Sequence, residues 1–263
     1  MRSGAQEQDA VNARVYHRAG VERYYHSVTL TREEASILLK YQPAFAGRDV
    51  LDVGVGTGRT SLYLAPLARR YEAIDYSPAM VDHLRERQPQ LAVRRADMRD
   101  LSAFADASFD FVFGSNNVID AVGEEGRQRT LREFARVLRP GGILAFSSHN
   151  RHYARALGGP RLVLSRNPVT LAANAVKWLR QLGNHARLGP QREVHAEQAL
   201  LDDPGHDYSC LHYYVSPALQ REQLAGAGLE MLEAVDENGS ALAAGERSPH
   251  SASLMYVARK PRE

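Results

Sequence analysis

The sequence predicts an α/β protein built on a mostly parallel β-sheet with helices on both faces. One observation behind this prediction is the segment 49–59 (DVLDVGVGTGR), in which an apolar strand pattern runs into alternating glycines. Another is that strand and helix patterns alternate about five times between residues 48 and 148, which is typical of parallel strands joined by crossover helices. The chain has 263 residues, enough for one large domain or one domain with an insertion.

The glycine run predicts a tight turn in close contact with a ligand. Gly54, Gly56 and Gly58 have no side chain, so the backbone can adopt positive φ and approach a cofactor. The following segment, 57–69, has apolar residues at helical spacing. Because a strand–glycine turn–helix unit binds its ligand at the carboxyl end of the strand, we expect a nucleotide-like cofactor beside this turn.

The spacing of the glycines narrows the class of cofactor. A dinucleotide fingerprint needs glycine at its sixth position, where this chain has Arg59. A P-loop needs Gly-Lys followed by Ser or Thr, and that sequence does not follow the turn. The spacing therefore disfavours NAD, FAD and a P-loop. On its own, this motif leaves open a glycine turn that holds no ligand.

The next segment predicts a second strand with an acidic end. Residues 71–75 are strand-like and end at Asp75, and a helix is predicted to follow with Ser77 as N-cap and Pro78 at its first position. A carboxylate at the end of the second strand can accept hydrogen bonds from a ribose diol. Asp75 is therefore a candidate cofactor ligand, and a solvated acid at a strand end is the alternative.

Three further segments continue the alternation. Residues 93–98 and 108–117 predict the third and fourth strands, each followed by polar residues. Residues 137–146 predict a helix end, a Pro-Gly-Gly turn and a fully buried strand.

These five segments resemble class I S-adenosylmethionine (SAM) dependent methyltransferases over residues 49–150. The resemblance rests on D-x-G-x-G-x-G at residues 52–58 and on the order and spacing of the segments after it. It implies a Rossmann-like sheet of seven mostly parallel strands in the order 3-2-1-4-5-7-6, with strand 7 antiparallel and helices on both faces. The implied units are an N-terminal helical cap at 1–47, a SAM-binding core at 48–148, an insertion covering the substrate at 149–208, and the C-terminal part of the sheet at 209–263.

The resemblance also implies which residues hold SAM, whose product after methyl transfer is S-adenosylhomocysteine. The implied contacts are Asp52, Gly54, Gly56, Thr57 and Gly58 for the methionine moiety, Asp75 for the ribose hydroxyls, Tyr76 and Met80 beside the adenine, Asp97 and Met98 at the adenine edge, and Ser115 and Asn116 near the methyl group.

The residues after the fourth and fifth strands bear on the methyl acceptor. The chain reads Ser-Asn-Asn-Val at 115–118, not the Asn/Asp-Pro-Pro-Tyr of family members that methylate amino groups of DNA, glutamine or adenine, which argues against those acceptors. Asn117 is our candidate for an orienting group. His149, at the end of the fifth strand, is our candidate general base, because imidazole titrates near neutral pH. A strand-end histidine that bonds a loop is the alternative.

The segment 210–216 resembles a Tyr-Tyr segment of glycine and related small-amine N-methyltransferases, in which tyrosines line the acceptor pocket. It suggests Tyr214 as a catalytic candidate and Tyr213 as a substrate contact. The alternative is a pair of half-buried strand tyrosines. The other candidate substrate contacts are Tyr25, Asn150 and His152.

Charge composition excludes some partners. Lys plus Arg is 33 and Asp plus Glu is 31, so the net charge is +2, unlike the concentrated basic charge of a nucleic-acid binder. The basic residues of 127–139 alternate with acids, which predicts a solvated helix face. The helix predicted at 169–188 is basic and amphipathic, and so is a candidate lid, homodimer element or membrane-surface contact.

Other features suggest a cytoplasmic protein without a membrane span or a metal. The single cysteine, Cys210, permits no intrachain disulfide, and the N-terminus lacks the apolar region of a secretory signal. No apolar run approaches the roughly 18 residues of a membrane-spanning helix. No H-x-x-x-H or C-x-x-C pair is present, so we expect no metal site.

The sequence thus predicts an enzyme that transfers a methyl group from SAM to N or O of a small molecule by in-line displacement. O-methylation of a sugar or a phenolic natural product is the nearest alternative. A methyltransferase acting on RNA or protein, and a SAM-binding protein without catalytic activity, are the more distant ones.

Overall fold

The computed structural model describes residues 4–17 and 29–262 and contains a sheet of ten strands. Its helices are α1 Gly4–Tyr16, α2 Arg32–Lys40, α3 Gln42–Phe45, α4 Ser61–Leu64, α5 Pro78–Arg87, α6 Glu124–Val137, α7 Pro168–Leu188 and α8 Pro217–Gly226. Its strands are β1 Asp49–Val53, β2 Arg70–Asp75, β3 Ala92–Arg95, β4 Phe109–Gly114, β5 Leu138–Asn150, β6 Glu193–Val194, β7 Gln198–Asp202, β8 Leu211–Val215, β9 Glu230–Val235 and β10 Ser253–Arg259.

Most of the sheet has the predicted topology. Its central path runs β3-β2-β1-β4-β5, continues to β10 and ends at β9. Strands β1 to β5 are parallel to one another, and β10 is antiparallel to both β5 and β9. This is the order 3-2-1-4-5-7-6 with an antiparallel strand 7, so the predicted fold class is confirmed.

The sheet has ten strands and not seven, because β8, β7 and β6 extend it beyond the end of β5. Strand β5 is 13 residues long, and residues 143–149 pair with β10. Its last two residues also pair with β8, with His149 beside Tyr214 and Asn150 beside Val215. Strand β5 therefore pairs with three strands at different heights, which are β4 at residues 138–146, β10 at 143–149 and β8 at 149–150.

Alternate residues of β1 face two apolar clusters on opposite sides of the sheet, as the pleat requires. Leu51 and Val53 belong to a cluster that includes Phe134 of α6. Val50 belongs to the other cluster, which includes Ile37 of α2. The helices therefore cover both faces of the sheet, and its carboxyl edge is left for a site.

Two local predictions of helix differ from the structure. Helix α4 covers only Ser61–Leu64 of the predicted 57–69, because Gly58 has a φ of +84° before it and Pro66 lacks an N–H after it. The chain between β3 and β4, which is described throughout, forms turns where the alternating pattern suggested a helix.

Helix α7 lies at the predicted position, and Leu188 is its one buried residue. Val169 and Val176 are exposed, and the helix contacts residue Asp207 through a hydrogen bond from Gln181. Whether α7 acts as a lid or in a homodimer stays a prediction, as does the division into four units. Among the described residues, no helix combines the length and apolar character needed to cross a membrane.

Candidate active site

A cavity of about 460 Å³ opens where β1, β2, β3 and β4 end at the carboxyl edge of the sheet. Ten of the twelve residues predicted to bind the cofactor line it, which are Gly54, Gly56, Thr57, Asp75, Tyr76, Met80, Asp97, Met98, Ser115 and Asn116. Segments that are up to about sixty residues apart in sequence therefore meet around one space. Asp52 and Gly58 are not among the lining residues.

The glycine turn adopts the conformation that its sequence predicts. Gly54, Gly56 and Gly58 have φ values of +65°, +55° and +84°, which disfavour any residue with a side chain. Gly54 is also required for space, because a Cβ at this position would overlap the side chain of Val118. The Gly54 N–H donates to the carbonyl of Ile74, 2.9 Å away, which ties the turn to β2.

Asp75 connects the end of β2 to the glycine turn. Its Oδ2 accepts from the N–H of Gly56 and its Oδ1 from the N–H of Ser77, both at 2.8 Å. Burial raises the pKa of this carboxyl group. A carboxylate has about four lone-pair sites, so Asp75 keeps acceptor capacity for a ligand in the cavity.

Asp52 is buried behind the turn. Its Oδ2 accepts from Thr60 Oγ1 and from the Tyr71 hydroxyl, each at 2.7 Å. Burial raises its pKa to about 6, although both bonds act in the opposite direction. In the structure this carboxyl group anchors the segment after the turn, and its predicted contact with the methionine moiety stays a prediction.

An ion pair that the sequence did not predict lies at the same end of the cavity. Arg59 lines the cavity, pairs with Glu34 of α2 and donates to Ser115 Oγ at 3.2 Å. Glu34 also completes a capping box with Thr31 at the start of α2. Burial alone would raise the pKa of Glu34, but the bonds from Arg59 lower it overall. Two features of the sequence could have indicated this ion pair. One is Arg59, where a dinucleotide site has glycine, and the other is the capping-box motif of Thr31 and Glu34.

A second ion pair joins the third strand to α1. Asp97 accepts from the Arg99 guanidinium through both carboxylate oxygens, and Arg99 also pairs with Asp9. All three residues line the cavity. Burial alone would raise the pKa of Asp97, but the bonds from Arg99 lower it. The adenine end of the predicted site therefore contacts the N-terminal helix.

Helix α1 forms one wall of the cavity and is fixed by a buried amide. Asn12 accepts from the N–H of Leu211 at 2.9 Å and donates to the carbonyls of Leu211 and Ala121 at 2.7 and 2.8 Å. The side chain of Asn12 thus pairs with β8 as a backbone amide would. Ser77 adds a hydroxyl bond to the carbonyl of Tyr16 at 2.7 Å, in place of the predicted N-cap bond.

The predicted acceptor residues lie outside the cavity wall. Of the six that the structure describes, none is a lining residue, which applies to His149, Asn117, Tyr214, Asn150, His152 and Tyr213. Tyr25 lies outside the described residues. The functions of all seven stay predictions.

Asn150 and Asn117 have structural contacts of their own. The Asn150 amide donates to the carbonyls of Arg247, Ser248 and Ser251 and so holds that loop against β5. Asn117 has a φ of +56°, a left-handed conformation that costs free energy outside glycine. Its N–H donates to a serine hydroxyl, while its amide oxygen is buried without a hydrogen-bond partner among the described residues.

Behind the cavity, a short 3-10 helix, Val118–Ala121, carries a buried acid that binds two basic side chains. Asp120 Oδ2 accepts from the N–H of His149 and lies 2.8 Å from its Nδ1. Asp120 Oδ1 pairs with Arg127, which also donates to Gln223. Arg127 is completely buried, so its predicted place on a solvated helix face is wrong. The charge pattern of α6 could not show the acid that it meets.

Further polar side chains from β8 surround Asp203. His212 Nδ1 lies 2.8 Å from Asp203 Oδ2, and the Tyr214 hydroxyl donates to the same oxygen at 3.0 Å. The His149 ring stacks on both His212 and Tyr214. Burial alone would raise the pKa of Asp203, but its bonds to His212 and Tyr214 hold it well below the usual range.

His149, Asp203 and His212 form a group whose possible ligand atoms lie within 4.8 Å of one another. The geometry favours hydrogen bonds over a metal, because both oxygens of Asp203 already accept bonds, including one from the N–H of Gly205. The two imidazole rings are nearly parallel, at 24°, so their in-plane lone pairs do not converge. The absence of a metal stays a prediction.

Comparison with known proteins identifies the domain around the cavity. A family described as a methyltransferase domain matches residues 50–142. A probable S-adenosylmethionine-dependent methyltransferase of Mycolicibacterium smegmatis is 39% identical over 106 residues, which are 40% of this chain and 40% of that protein. Residues 50–142 form a SAM-dependent methyltransferase domain.

A further relative supports the methyltransferase domain, and a solved structure supports its fold. A malonyl-acyl-carrier protein O-methyltransferase of Halorhodospira halophila is 36% identical over 147 residues, 54% of this chain and 49% of that protein. A 1,6-didemethyltoxoflavin-N1-methyltransferase of Burkholderia thailandensis, solved with its substrate and S-adenosylhomocysteine, superposes with a TM-score of 0.61 and 16% identity. That superposition covers 99% of this chain and 92% of the other.

The matched segments span less than half the length of these two curated relatives. The methyltransferase domain therefore defines the fold and the cofactor, which is SAM. The residues of the cavity fit SAM. Asp75, Asp97 and a glycine turn with positive φ line a space at the carboxyl edge of the sheet, where folds of this kind bind a nucleotide-like cofactor.

Proposed function

We propose that the protein transfers a methyl group from SAM to N or O of a small molecule by in-line displacement. The observation that carries this proposal is the cavity beside the glycine turn, which is walled on one side by α1. Its volume of about 460 Å³ lies within the range of about 300–1,000 Å³ that is usual for small-molecule sites. A cavity walled by a docked helix favours a compact acceptor over a polymer.

The proposed position of SAM follows the residues that line the cavity. The ribose hydroxyls would donate to the remaining lone pairs of Asp75, and the adenine would lie between Met80 and Met98. The methionine end would then face Gly56 and the nearby Arg59. This orientation brings the sulfonium methyl group toward the end of β4.

The chemistry asks little of the cofactor site beyond alignment. When the acceptor attacks, the positive charge at sulfur disappears, so tight solvation of the sulfonium alone would not lower the barrier. Holding the two reacting atoms in line can contribute about 7–11 kcal/mol. A general base adds a factor on the order of 10²–10⁴ if the attacking atom starts with a proton.

The similar proteins do not agree on the atom that is methylated. The Halorhodospira halophila relative is an O-methyltransferase, and the Burkholderia thailandensis protein is an N1-methyltransferase. We therefore propose the acceptor class, a small molecule with N or O, and take O-methylation of a sugar or phenol as the second candidate. A net charge of +2 offers no electrostatic support for RNA as the acceptor.

Methyl transfer into a fractionated cell extract tests the proposal. The protein is incubated with methyl-labelled SAM and extract, and the small molecules are separated from protein and RNA. Label in the small-molecule fraction is the expected result, and the mass of the labelled species names the acceptor. Label confined to protein or RNA would overturn the acceptor class, and no label in any fraction would overturn the transfer itself.

A further inference from the structure

Tyr16, the last residue of α1, lies between the cavity and the buried polar side chains of His212 and Asp203. Tyr16 is a lining residue, and its hydroxyl lies 3.1 Å from Nε2 of His212. The other ring nitrogen of His212 lies 2.8 Å from Asp203. A tyrosine, a histidine and an aspartate therefore form one chain of hydrogen bonds that runs from the cavity into the protein.

The position of Tyr16 is fixed by its neighbours. The bond from Ser77 to its carbonyl and the amide pairing of Asn12 hold the last turns of α1 in place. The Tyr16 ring also packs edge-on against the ring of His206, with centroids 5.1 Å apart. The hydroxyl is thus directed at His212 by contacts on three sides.

The tautomer of His212 follows from its acidic partner. Asp203 is an anion with its pKa well below the usual range, so it accepts a hydrogen bond and requires a proton on Nδ1 of His212. In a neutral imidazole, Nε2 is then the acceptor for the hydroxyl proton of Tyr16. This is the arrangement in which an acid orients a histidine, and the histidine can take a proton from a hydroxyl group.

We propose that Tyr16 is a catalytic residue, which takes the proton of the methyl acceptor as its own hydroxyl proton passes to His212. This inference rests on the proposed methyl transfer. The attacking atom of the acceptor forms a bond to the methyl carbon, the C–S bond breaks, and its electron pair stays on sulfur. The acceptor's proton ends on Tyr16, and the Tyr16 proton ends on Nε2, beside the Asp203 carboxylate. His212 and Asp203 are positioning residues in this scheme.

This proton relay, from the acceptor through Tyr16 to His212, narrows the acceptor to a molecule whose attacking atom must lose a proton. A hydroxyl group loses it as it attacks, whereas an ammonium group must lose it before it can attack. It also sets a pH dependence, because only neutral His212 can accept the proton. Burial alone would lower the pKa of His212, but Asp203 raises it above its ordinary value. The groups that face His212 or act on its charge are Asp203, Asp120, His149, His206 and Tyr16.

The test compares wild type with Tyr16→Phe in the labelled-SAM assay, with SAM affinity measured by calorimetry. We expect the variant to lose about 100-fold or more in turnover, because general-base catalysis contributes about 10²–10⁴, and to keep SAM affinity within about threefold. Tyr41→Phe is the matched control, since it removes a half-buried tyrosine–carboxylate bond to Glu233 away from the cavity. We expect that control to retain wild-type turnover.

A second variant guards against a folding defect in the first. We expect the activity of wild type to rise with pH as His212 loses its proton, at a pH above the ordinary range of histidine, and we expect His212→Asn to lack that rise. NMR titration of wild type and Tyr16→Phe should show a changed His212 pKa, since the hydrogen bond to Nε2 is gone.

Each outcome decides between the proposals. Label transferred by wild type and by Tyr16→Phe at similar rates would overturn the relay and leave the methyl transfer standing. Equal losses of turnover and SAM affinity would reduce Tyr16 to a cofactor contact. A metal bound in stoichiometric amount to the purified protein and lost in His212→Asn would also overturn the relay, since a metal on either ring nitrogen of His212 would displace Tyr16 or Asp203. No label with wild type would overturn the methyl transfer and the relay together.

Discussion

The turn around Gly54–Gly58 and the network around Asp120 lie on opposite sides of one short 3-10 helix, but they are built differently. The turn uses backbone N–H groups and one acid, and its residues are close in sequence. The network uses charged side chains from α6, β5 and the segment before β8. The contrast suggests that residues close together in the sequence can specify a ligand site, whereas a buried ionic network needs residues that only the complete fold brings together.

We expect the largest loss of stability from Arg127→Ala, which disrupts the network around Asp120. The substitution leaves Asp120 buried without its cationic partner, and breaking a buried ion pair in this way costs about 3–5 kcal/mol. We expect the free energy of unfolding, measured in urea, to fall by that amount. Arg259→Ala is the control, because it breaks an exposed pair with Glu230 that is worth about 0–1 kcal/mol. Similar losses of unfolding free energy in both variants would contradict the proposal that the buried network stabilises the fold more than a surface ion pair does.

The ion pair between Arg59 and Glu34 gives an intermediate effect with a defined pH dependence. The pKa of Glu34 is lower in the folded protein than in the unfolded chain, so its contribution is present above the unfolded value of about 4.3 and is lost as pH falls. Glu34→Gln should cost about 1.5–3 kcal/mol at pH 7, the range for bonds to charged groups. The difference from wild type should shrink between about pH 5 and pH 3.

Urea unfolding of wild type and Glu34→Gln over that pH range measures the effect. A difference that is independent of pH would mean that the Glu34 side chain stabilises by packing and its charge contributes nothing.

The turn itself should affect binding more than stability. Asp75→Ala removes the proposed ribose acceptor and the partner of the Gly56 N–H, and we expect SAM affinity to fall more than tenfold, about 1.4 kcal/mol or more. Asp82→Ala removes an exposed acid from α5 and serves as the control for charge. Calorimetry that shows unchanged SAM affinity in Asp75→Ala would remove Asp75 from the site.

The same contrast explains what the sequence could predict. The glycines, Asp75 and the alternation of strands and helices were readable because positive φ, an acidic strand end and alternating apolar patterns are properties of neighbouring residues. The strand order came from the resemblance to the methyltransferase family. Arg127 looked like a surface residue because its partner, Asp120, is defined only by the fold. Tyr16 gave no signal, since its partner His212 lies almost two hundred residues away, on a strand outside the segment 49–150 that carries the main resemblance.

The ten strands have a similar explanation. The extension β8-β7-β6 attaches to the last two residues of β5, and no pattern in β5 itself marks where one neighbour ends and another begins. An alternating pattern of apolar and polar residues specifies which side chains of a strand are buried. It does not specify which strands pair along its edges.

The contact between Gly54 and Val118 has a thermodynamic consequence. Val118 begins the 3-10 helix that carries Asp120 two residues later, so the ligand turn and the ionic network share a single wall. If SAM binding shifts that wall, the two regions are coupled, and the coupling must be equal in both directions. A substitution that disrupts the contacts of Asp120 would then weaken the binding of SAM. Bound SAM would stabilise the network around Asp120 by the same coupling free energy.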